Sequence, residues 1–323
     1  MADPSWRAVL ADRLAEVIAP GEPVALLNFP RHGNAGDPGI WLGTLAVLRK
    51  LGCAVRYACH PGSFDAADLR SAHPDGPVLL GGGGNFGDVY RPQQDLRERA
   101  LVELRDRDLV QLPQSIWFRE PANLERVRGL VAAHGRFTLM VREQQSFEAA
   151  TAFDCPVVLS PDLALGMDPP VRREPAHDIV WLHRQAGSPE VKPGQLAPES
   201  DDVLAVEWLG GLEADQAAWS DDLRHALAVS AGSSPWQEVA ATFEPLAQAW
   251  VGRGFDLLSQ GRVVVTDRLH GHLFSLLLGI PHVVMDNAYG KCRSTVETWT
   301  DSSPLVHWAD DSDSALATAS SLL

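Results

Sequence analysis

The stretch that decides the fold is VVVTDRLHGHLFSLLLGIPHVVMDNAYGKCR, residues 263–293. Its run of valines followed by polar residues is typical of a buried parallel strand that ends in a turn. The leucines and phenylalanine between 273 and 278 predict a mostly buried helix, which Gly279 and Pro281 terminate. The next apolar run, His282–Met285, predicts a second strand. Residues 263–293 therefore predict a strand–helix–strand unit of a parallel sheet.

Cationic side chains follow both of these strands. Arg268 and His270 lie where the first strand meets the helix, and Lys291 and Arg293 lie in the loop after the second strand. Open α/β sheets bind ligands at the carboxyl ends of their strands, and a helix N-terminus favours an anion. The pattern predicts an anion site at this edge. The alternative is that Arg268 pairs with a nearby aspartate and His270 only begins the helix.

Short apolar runs alternate with amphipathic segments over the rest of the chain, and polar residues stand at each strand exit. This pattern predicts an α/β fold with doubly wound parallel sheets. The segment GMDPPVRREP, residues 166–175, has three prolines and mixed charge and is typical of a linker. We therefore predict a Rossmann-like N-terminal lobe over residues 1–165 and a Rossmann-like C-terminal lobe over residues 176–323.

Composition narrows the class of protein. The 323 residues carry a formal net charge of −15, which argues against nucleic acid or an anionic membrane surface as a partner. No apolar run approaches the roughly 20 residues of a membrane span, and the N-terminus has the pattern of an amphipathic helix. The four cysteines form no C-x-x-C pair, which is typical of free thiols in a reducing compartment. We predict a cytoplasmic protein without a transmembrane segment.

Two glycine-containing loops follow predicted strands. The loop GGGGNFGD, Gly81–Asp88, contains a G-x-G-x-x-G match, but it follows a later strand and opens into no immediate helix, which argues against a nicotinamide site. Its glycines permit close approach of a ligand or of another backbone segment. In the loop Gly33–Asp37, Asp37 is either a helix N-cap or a general base. His270 and His272 are two residues apart and share no helix face, so no metal site is predicted.

Taken in order, nine segments between residues 28 and 293 resemble the polysaccharide pyruvyl transferase family. The most specific is Arg268-Leu269-His270-Gly271, and others include Gly33–Asp37, Gly81–Asp88 and Leu112–Ile116. The last of these, LPQSI, is most similar to the exopolysaccharide branch. One departure is Glu143, where many relatives have aspartate after the arginine; the charge is kept.

The resemblance implies a two-lobed fold similar to GT-B glycosyltransferases, with the active site in the cleft between the lobes. It implies phosphoenolpyruvate as donor on the C-terminal lobe and a sugar with two free hydroxyls as acceptor on the N-terminal lobe. The product would be a pyruvate ketal, with release of phosphate. No cofactor or metal is implied beyond this co-substrate. A lipid-linked acceptor would bring the chain to the inner face of the cell membrane.

The resemblance also assigns residues. The Arg-Leu-His block is expected to hold the donor, which transfers to Arg268, Leu269 and His270, with Arg184 and Lys291 as further contacts. His270 is expected to protonate the donor, and Asp37 to act as base toward the acceptor. The remaining cleft candidates are Gly83, Gly84, Asn85, Asp88, Gln114, Ser115, Arg142 and Arg293. Two alternatives stay open: a sugar-nucleotide glycosyltransferase on the same architecture, and a non-catalytic glycan-binding protein.

Overall fold

The computed structural model describes residues 5–30, 34–168, 170–184, 190–192, 202–208 and 236–323, together with positions 195, 197, 198 and 200. The segment around Trp219, for which the sequence pattern allows either a helix or a loop, lies outside these residues. Within them, no helix combines the length and the apolar character needed to cross a bilayer.

The first sheet is built from parallel strands between residues 24 and 159. They are β1 (Val24–Leu27), β2 (Val55–Cys59), β3 (Val78–Leu80), β4 (Gly83–Gly87), β5 (Leu109–Trp117), β6 (Phe137–Val141) and β7 (Val157–Leu159). Their order is β2-β1-β3-β5-β6-β7, and β4 pairs with β5. The helices of this half are Ser5–Ala15, Gly36–Lys50, Ala66–Ala72, Arg91–Glu103, Pro121–His134 and Gln144–Ala150.

The second sheet is also parallel and repeats the topology. Its strands are β8 (His177–Leu182), β9 (Val203–Val206), β10 (Gly261–Thr266), β11 (His282–Val284) and β12 (Val306–Trp308), and its helices are Trp236–Ser259, Leu269–Leu278, Lys291–Thr295 and Ser312–Ser321. The order β9-β8-β10-β11-β12 matches β2-β1-β3-β5-β6 of the first sheet. In each sheet the strand order reverses at one point, between β1 and β3 in the first sheet and between β8 and β10 in the second. Open sheets bind ligands at such a point. The predicted fold class, α/β with two parallel-sheet lobes, is confirmed.

The two lobes contact each other on both sides of the cleft. On one side Phe243, from the helix Trp236–Ser259, stacks on Phe29 of the first lobe with ring centroids 3.9 Å apart. On the other side Trp299 Nε1 donates to the Arg142 carbonyl at 2.8 Å. One hydrophobic cluster runs through both lobes. The linker at 166–175 lies between β7 and β8, and the domain boundary there stays a prediction.

Four elements differ from the sequence prediction. Lys291 and Arg293, predicted in a loop, belong to the short helix Lys291–Thr295. The helix after β10 begins at Leu269 rather than near 273, so Arg268 takes its N-cap position with extended backbone. The strands β4 and β12 were not predicted. β4 is glycine-rich and has low strand propensity, but it pairs with the long strand β5. At Gly87 the backbones of β4 and β5 approach so closely that a Cβ would lie 1.7 Å from the Trp117 carbonyl oxygen.

A buried histidine pair joins the helix Leu269–Leu278 to β11. His282 Nδ1 lies 2.8 Å from the Ile280 carbonyl, which only accepts, so Nδ1 carries the proton. His272 Nδ1 then donates to His282 Nε2 at 2.7 Å, and Thr300 Oγ1 donates to His272 Nε2 at 3.0 Å. Burial lowers the pKa of His282 to about 4 and that of His272 well below its ordinary value. Both rings are therefore neutral in the folded protein.

This pair makes stability depend on pH. Below pH about 6.5 these histidines bind protons in the unfolded chain but not in the folded chain. The free energy of unfolding therefore falls by about 1.4 kcal/mol for each pH unit of acidification and each histidine. We expect His282→Gln to show a smaller loss of unfolding free energy between pH 6.5 and 5, measured by urea denaturation. His177→Gln, at an exposed site, is the control. An unchanged pH dependence in His282→Gln would exclude the pair as its source.

Candidate active site

A cavity of about 260 Å³ lies between the carboxyl ends of the two sheets. It contains every residue predicted to bind the donor and several of the other candidates. Its lining consists of Asn34, Asp37, Gly84, Asn85, Tyr90, Gln93, Arg142, Arg184, Glu190, Trp208, Arg268, Leu269, His270 and Lys291. The sequence prediction of a site between two lobes, at the strand ends, therefore matches this cavity.

Arg268 is a partly buried cation of the cavity whose hydrogen-bond acceptor is a backbone carbonyl. Its Nε donates to the His183 carbonyl at 2.9 Å. Among the residues that the structure describes, no carboxylate lies within ion-pair distance of its guanidinium, so the predicted alternative of an aspartate partner is wrong. Burial, together with the neighbouring Arg184, lowers the pKa of Arg268 to about 10. A bound anion would offset both effects, so this guanidinium is suited to an anionic ligand.

Arg184 and Lys291 share a carboxylate partner. Glu190 accepts from Lys291 Nζ at 2.6 Å and from Tyr90 Oη at 2.6 Å, and it pairs with Arg184 Nη2 at 2.9 Å. Burial alone would raise the pKa of Glu190, but Lys291 and Arg184 outweigh it and hold the pKa well below its usual range. This arrangement shows that the two cations can hold a carboxylate between them.

His270 lies at the boundary between the lobes. Its ring packs against Gly36, where a Cβ would come within 2.2 Å of Nδ1. Its Nε2 is 3.6 Å from Asp162 Oδ2, which is ion-pair distance without a hydrogen bond. Asp162 also accepts from Arg142 Nη1 at 2.6 Å. Burial raises the pKa of Asp162, but His270 and Arg142 together hold it well below its usual range, so His270 faces a permanent carboxylate.

Two predicted residues lie in the cavity wall or directly behind it. Arg142 is fully buried, and its Nε donates to Ser115 Oγ at 2.9 Å. Ser115 in turn donates to Glu143 Oε2 at 3.0 Å. Ser115 therefore supports Arg142 from behind and does not line the cavity.

Asp37 stands in the first turn of the helix Gly36–Lys50, and its carboxylate lines the cavity. The N-cap of that helix is Ala35, so the alternative that Asp37 is the N-cap is wrong. Gly33, at the start of the predicted loop, lies outside the described residues. Asp37 therefore lies in the wall of the cavity that the N-terminal lobe supplies.

The glycine-rich loop supplies the wall beside Asp37. Gly84 and Asn85 line the cavity, whereas Gly83 and Gln114 lie behind them. Gln114 Nε2 donates to the Gly81 carbonyl at 3.0 Å and to Asn85 Oδ1 at 3.1 Å. A Cβ at Gly84 would come within 3.0 Å of Arg142 Nη2, so glycine there permits the close approach of loop and arginine.

Two further cleft candidates lie away from both the cavity and its wall. Asp88 accepts from the backbone N–H groups of Arg119 and Glu120, both at 2.9 Å, before the helix Pro121–His134. Arg293 has a side chain 46% exposed, pairs with Asp310 and stacks on Trp308. Each side chain is satisfied by local partners.

Sequence reasoning missed two carboxylates of the site, Asp162 and Glu190. Asp162 follows β7. The strand-exit rule, by which ligands bind at the carboxyl ends of parallel strands, could therefore have identified it. Glu190 comes from the loop 186–202, predicted near the site entrance and only partly within the described residues, and no local pattern distinguishes it. Its partner Lys291 is 101 residues away.

Comparison with known proteins agrees with this geometry. The sequence model described as polysaccharide pyruvyl transferase matches residues 34–241 and 251–289. Pyruvyl transferase 1 of Schizosaccharomyces pombe is 32% identical over 290 residues, which cover 85% of this chain and 69% of that protein. The putative pyruvyl transferase EpsO of Bacillus subtilis is 28% identical over 294 residues, covering 90% of this chain and 89% of that protein.

A solved structure shows the same fold. It is that of an uncharacterized protein from Klebsiella pneumoniae, with a TM-score of 0.61 and 16% identity over 95% of this chain and 99% of the other. The family match covers most of the chain, and the sequence resemblance to this family is confirmed. The chain belongs to the polysaccharide pyruvyl transferase family and is a transferase enzyme.

Proposed function

We propose that the enzyme transfers the pyruvyl group of phosphoenolpyruvate to two hydroxyls of one sugar acceptor. The product is a pyruvate ketal, the second product is phosphate, and the setting is exopolysaccharide or cell-surface glycan biosynthesis. The observation that carries this proposal is the guanidinium of Arg268, which has no carboxylate partner among the described residues. It stands beside Arg184 in a cavity that also holds His270.

The donor matches the cations of the C-terminal lobe. Phosphoenolpyruvate has a phosphate and a carboxylate, and arginine offers paired donors to either group. Arg184 and Lys291 already hold the carboxylate of Glu190, so they are suited to one anionic group of the donor. Arg268 and the backbone N–H of Leu269, at the helix N-terminus, are suited to the other.

The proposed reaction begins with proton transfer from His270 to C3 of the donor, which leaves positive charge at C2. An acceptor hydroxyl attacks C2 and gives its proton to Asp37. The C2–O bond to phosphate then breaks, and the second hydroxyl closes the ketal while its proton leaves with the phosphate. Asp162 Oδ2 lies 3.6 Å from His270 Nε2, where it can orient the imidazole for the transfer.

The location follows from the substrates in this proposal. Phosphoenolpyruvate is the co-substrate, and the reaction as written uses no other cofactor. We place the enzyme in the cytoplasm. A lipid-linked sugar acceptor would bring it to the inner face of the cell membrane.

Arg268→Ala tests the proposal through donor affinity. Each hydrogen bond to a charged group contributes about 1.5–3 kcal/mol, so the dissociation constant for phosphoenolpyruvate should rise roughly 10- to 100-fold. Calorimetric titration measures the constant directly, and thermal stabilisation at saturating ligand gives a second readout. Arg293→Ala is the matched control, because it removes an arginine outside the cavity.

The ligand panel separates the competing functions. Binding of phosphoenolpyruvate that Arg268→Ala weakens and Arg293→Ala leaves intact would support the proposal. Stabilisation by a UDP-sugar alone would favour the glycosyltransferase. An equal affinity of wild type and Arg268→Ala for phosphoenolpyruvate would remove Arg268 from the donor site.

A further inference from the structure

The two walls of the cavity differ in chemistry. The C-terminal lobe contributes Arg184, Arg268 and Lys291, whereas Arg142, the cation of the other wall, is already ion-paired with Asp162. The wall from the N-terminal lobe carries the neutral amides of Asn34, Asn85 and Gln93 around the carboxylate of Asp37. Amides and carboxylates together provide the donors and acceptors that sugar hydroxyls need. The cavity therefore has a cationic half suited to an anionic ligand and a half suited to a neutral polyol.

Asn85 is held in one orientation. Its Oδ1 accepts from Arg97 Nη2 at 2.9 Å and from Gln114 Nε2 at 3.1 Å. Its backbone carbonyl accepts from Arg97 Nη1 at 3.2 Å, and its backbone N–H donates to Gln114 Oε1 at 3.1 Å. Because both partners of Oδ1 are donors, the amide cannot be reversed without losing two hydrogen bonds.

The other end of this amide lies near the proposed general base, and both residues line the cavity. A Cβ built on Gly83 would lie 3.5 Å from Asn85 Nδ2 and 3.7 Å from Asp37 Oδ1, so the two polar atoms flank the same point. Within the described part of the chain, Asn85 Nδ2 has no protein acceptor. It is therefore a donor directed at the space beside the proposed general base.

Arg97, which holds Asn85 in this orientation, is itself buried at a cost in folding free energy. Its side chain is 1% exposed and stacks over Phe86, and burial lowers its pKa to about 9. Its hydrogen-bond acceptors in the described structure are the amide oxygens of Gln94 and Gln111 and the two oxygens of Asn85. A buried guanidinium without a hydrogen-bonded carboxylate is destabilising. The hydrogen bonds of Arg97 fix the position of Asn85.

We propose that Asp37, Asn85 and Gln93 form the acceptor subsite, where Asn85 Nδ2 donates a hydrogen bond to a hydroxyl of a neutral sugar ring. Arg97 is the positioning residue that fixes the amide. Asn85 Nδ2 and Asp37 Oδ1 flank the same point, so they are placed to contact two hydroxyls of one sugar ring, as a cyclic ketal requires. This inference rests on the proposed function and adds the place and the polarity of the acceptor site.

Asn85→Asp is the central variant. It keeps the shape of the side chain and the acceptor for Arg97, places a carboxylate beside that buried cation, and removes the donor at Nδ2. We expect an unchanged or higher melting temperature, an acceptor KM raised about tenfold, and a KM for phosphoenolpyruvate that changes less than about twofold. A purely structural role for Asn85 would not separate the two KM values in this way.

The kinetics use phosphoenolpyruvate with the best acceptor from a panel of p-nitrophenyl hexopyranosides, and mass spectrometry detects the product. Arg97→Lys keeps the charge but loses the paired donors, and it should also raise the acceptor KM selectively. Asn123→Ala, outside the cavity, is the control that should retain both values. A wild-type acceptor KM in Asn85→Asp, or an equal rise in both KM values, would overturn this inference alone. No product from wild-type enzyme with any sugar of the panel would overturn it together with the proposed function.

Discussion

Replacement of His270 by glutamine is expected to lower kcat by about 10²–10⁴, because the variant loses the proposed donor of the proton to C3. The fold should be retained. Among the residues that the structure describes, none forms a hydrogen bond with His270 Nε2, and Asp162 keeps its ion pair with Arg142. Binding of phosphoenolpyruvate should persist, since its proposed cationic partners are unchanged. Product formation under saturating substrates, with a parallel calorimetric titration of the donor, measures both quantities.

His177→Gln is the matched control for this variant. His177 is exposed and begins β8, at the strand end opposite to the cavity. Its replacement should leave kcat at the wild-type value. If His270→Gln turned over within a few-fold of wild type, another group would have to supply the proton.

Gly36→Ala is expected to lower kcat by roughly 10²-fold without removing any catalytic group. The new Cβ would lie 2.2 Å from His270 Nδ1, so the imidazole or the start of the helix must move. A shift of about 1 Å at a reacting group can cost about 10²-fold in rate. Overpacking should also reduce the unfolding free energy by about 1–3 kcal/mol. Steady-state kinetics and urea denaturation give the two numbers.

Two comparisons make this prediction specific. Gly129→Ala, on an exposed helix face with no atom near the new Cβ, should retain activity and gain up to about 1 kcal/mol in stability. In the His270→Gln background, Gly36→Ala should cause little further loss of kcat, because both changes act on the same imidazole. Fully additive losses would show that Gly36 acts through a different group.

The strand-exit rule predicted that Arg184, Arg268 and His270 lie close together, and all three line the cavity. They do so because the carboxyl ends of parallel strands meet at one edge and the topology repeats in both lobes. The same rule predicted that Arg293 lies in the cleft, but Arg293 contacts Trp308 and Asp310 outside the cavity. The local sequence does not show which of these two environments an arginine will occupy.

Contacts between distant residues were beyond sequence reasoning. The pairing of Arg142 with Asp162 depends on the adjacent strands β6 and β7, and the contact of His270 with Gly36 depends on how the lobes meet. The strand β4 forms because the end of β5 extends beyond its pairing with β3 and is paired there by β4, although a run of glycines does not favour a strand. In each case tertiary context overrides local preference.

The hydrophobic cluster that runs through both lobes has an evolutionary consequence. Phe243 of the second half of the chain stacks on Phe29 of the first, so each half carries part of the other's interior. A chimera that joins the N-terminal half of one relative to the C-terminal half of another would have to match these aromatic surfaces as well as the cleft. We therefore expect new acceptor preferences in this lineage to arise by substitutions on one wall of the cleft rather than by exchange of whole lobes.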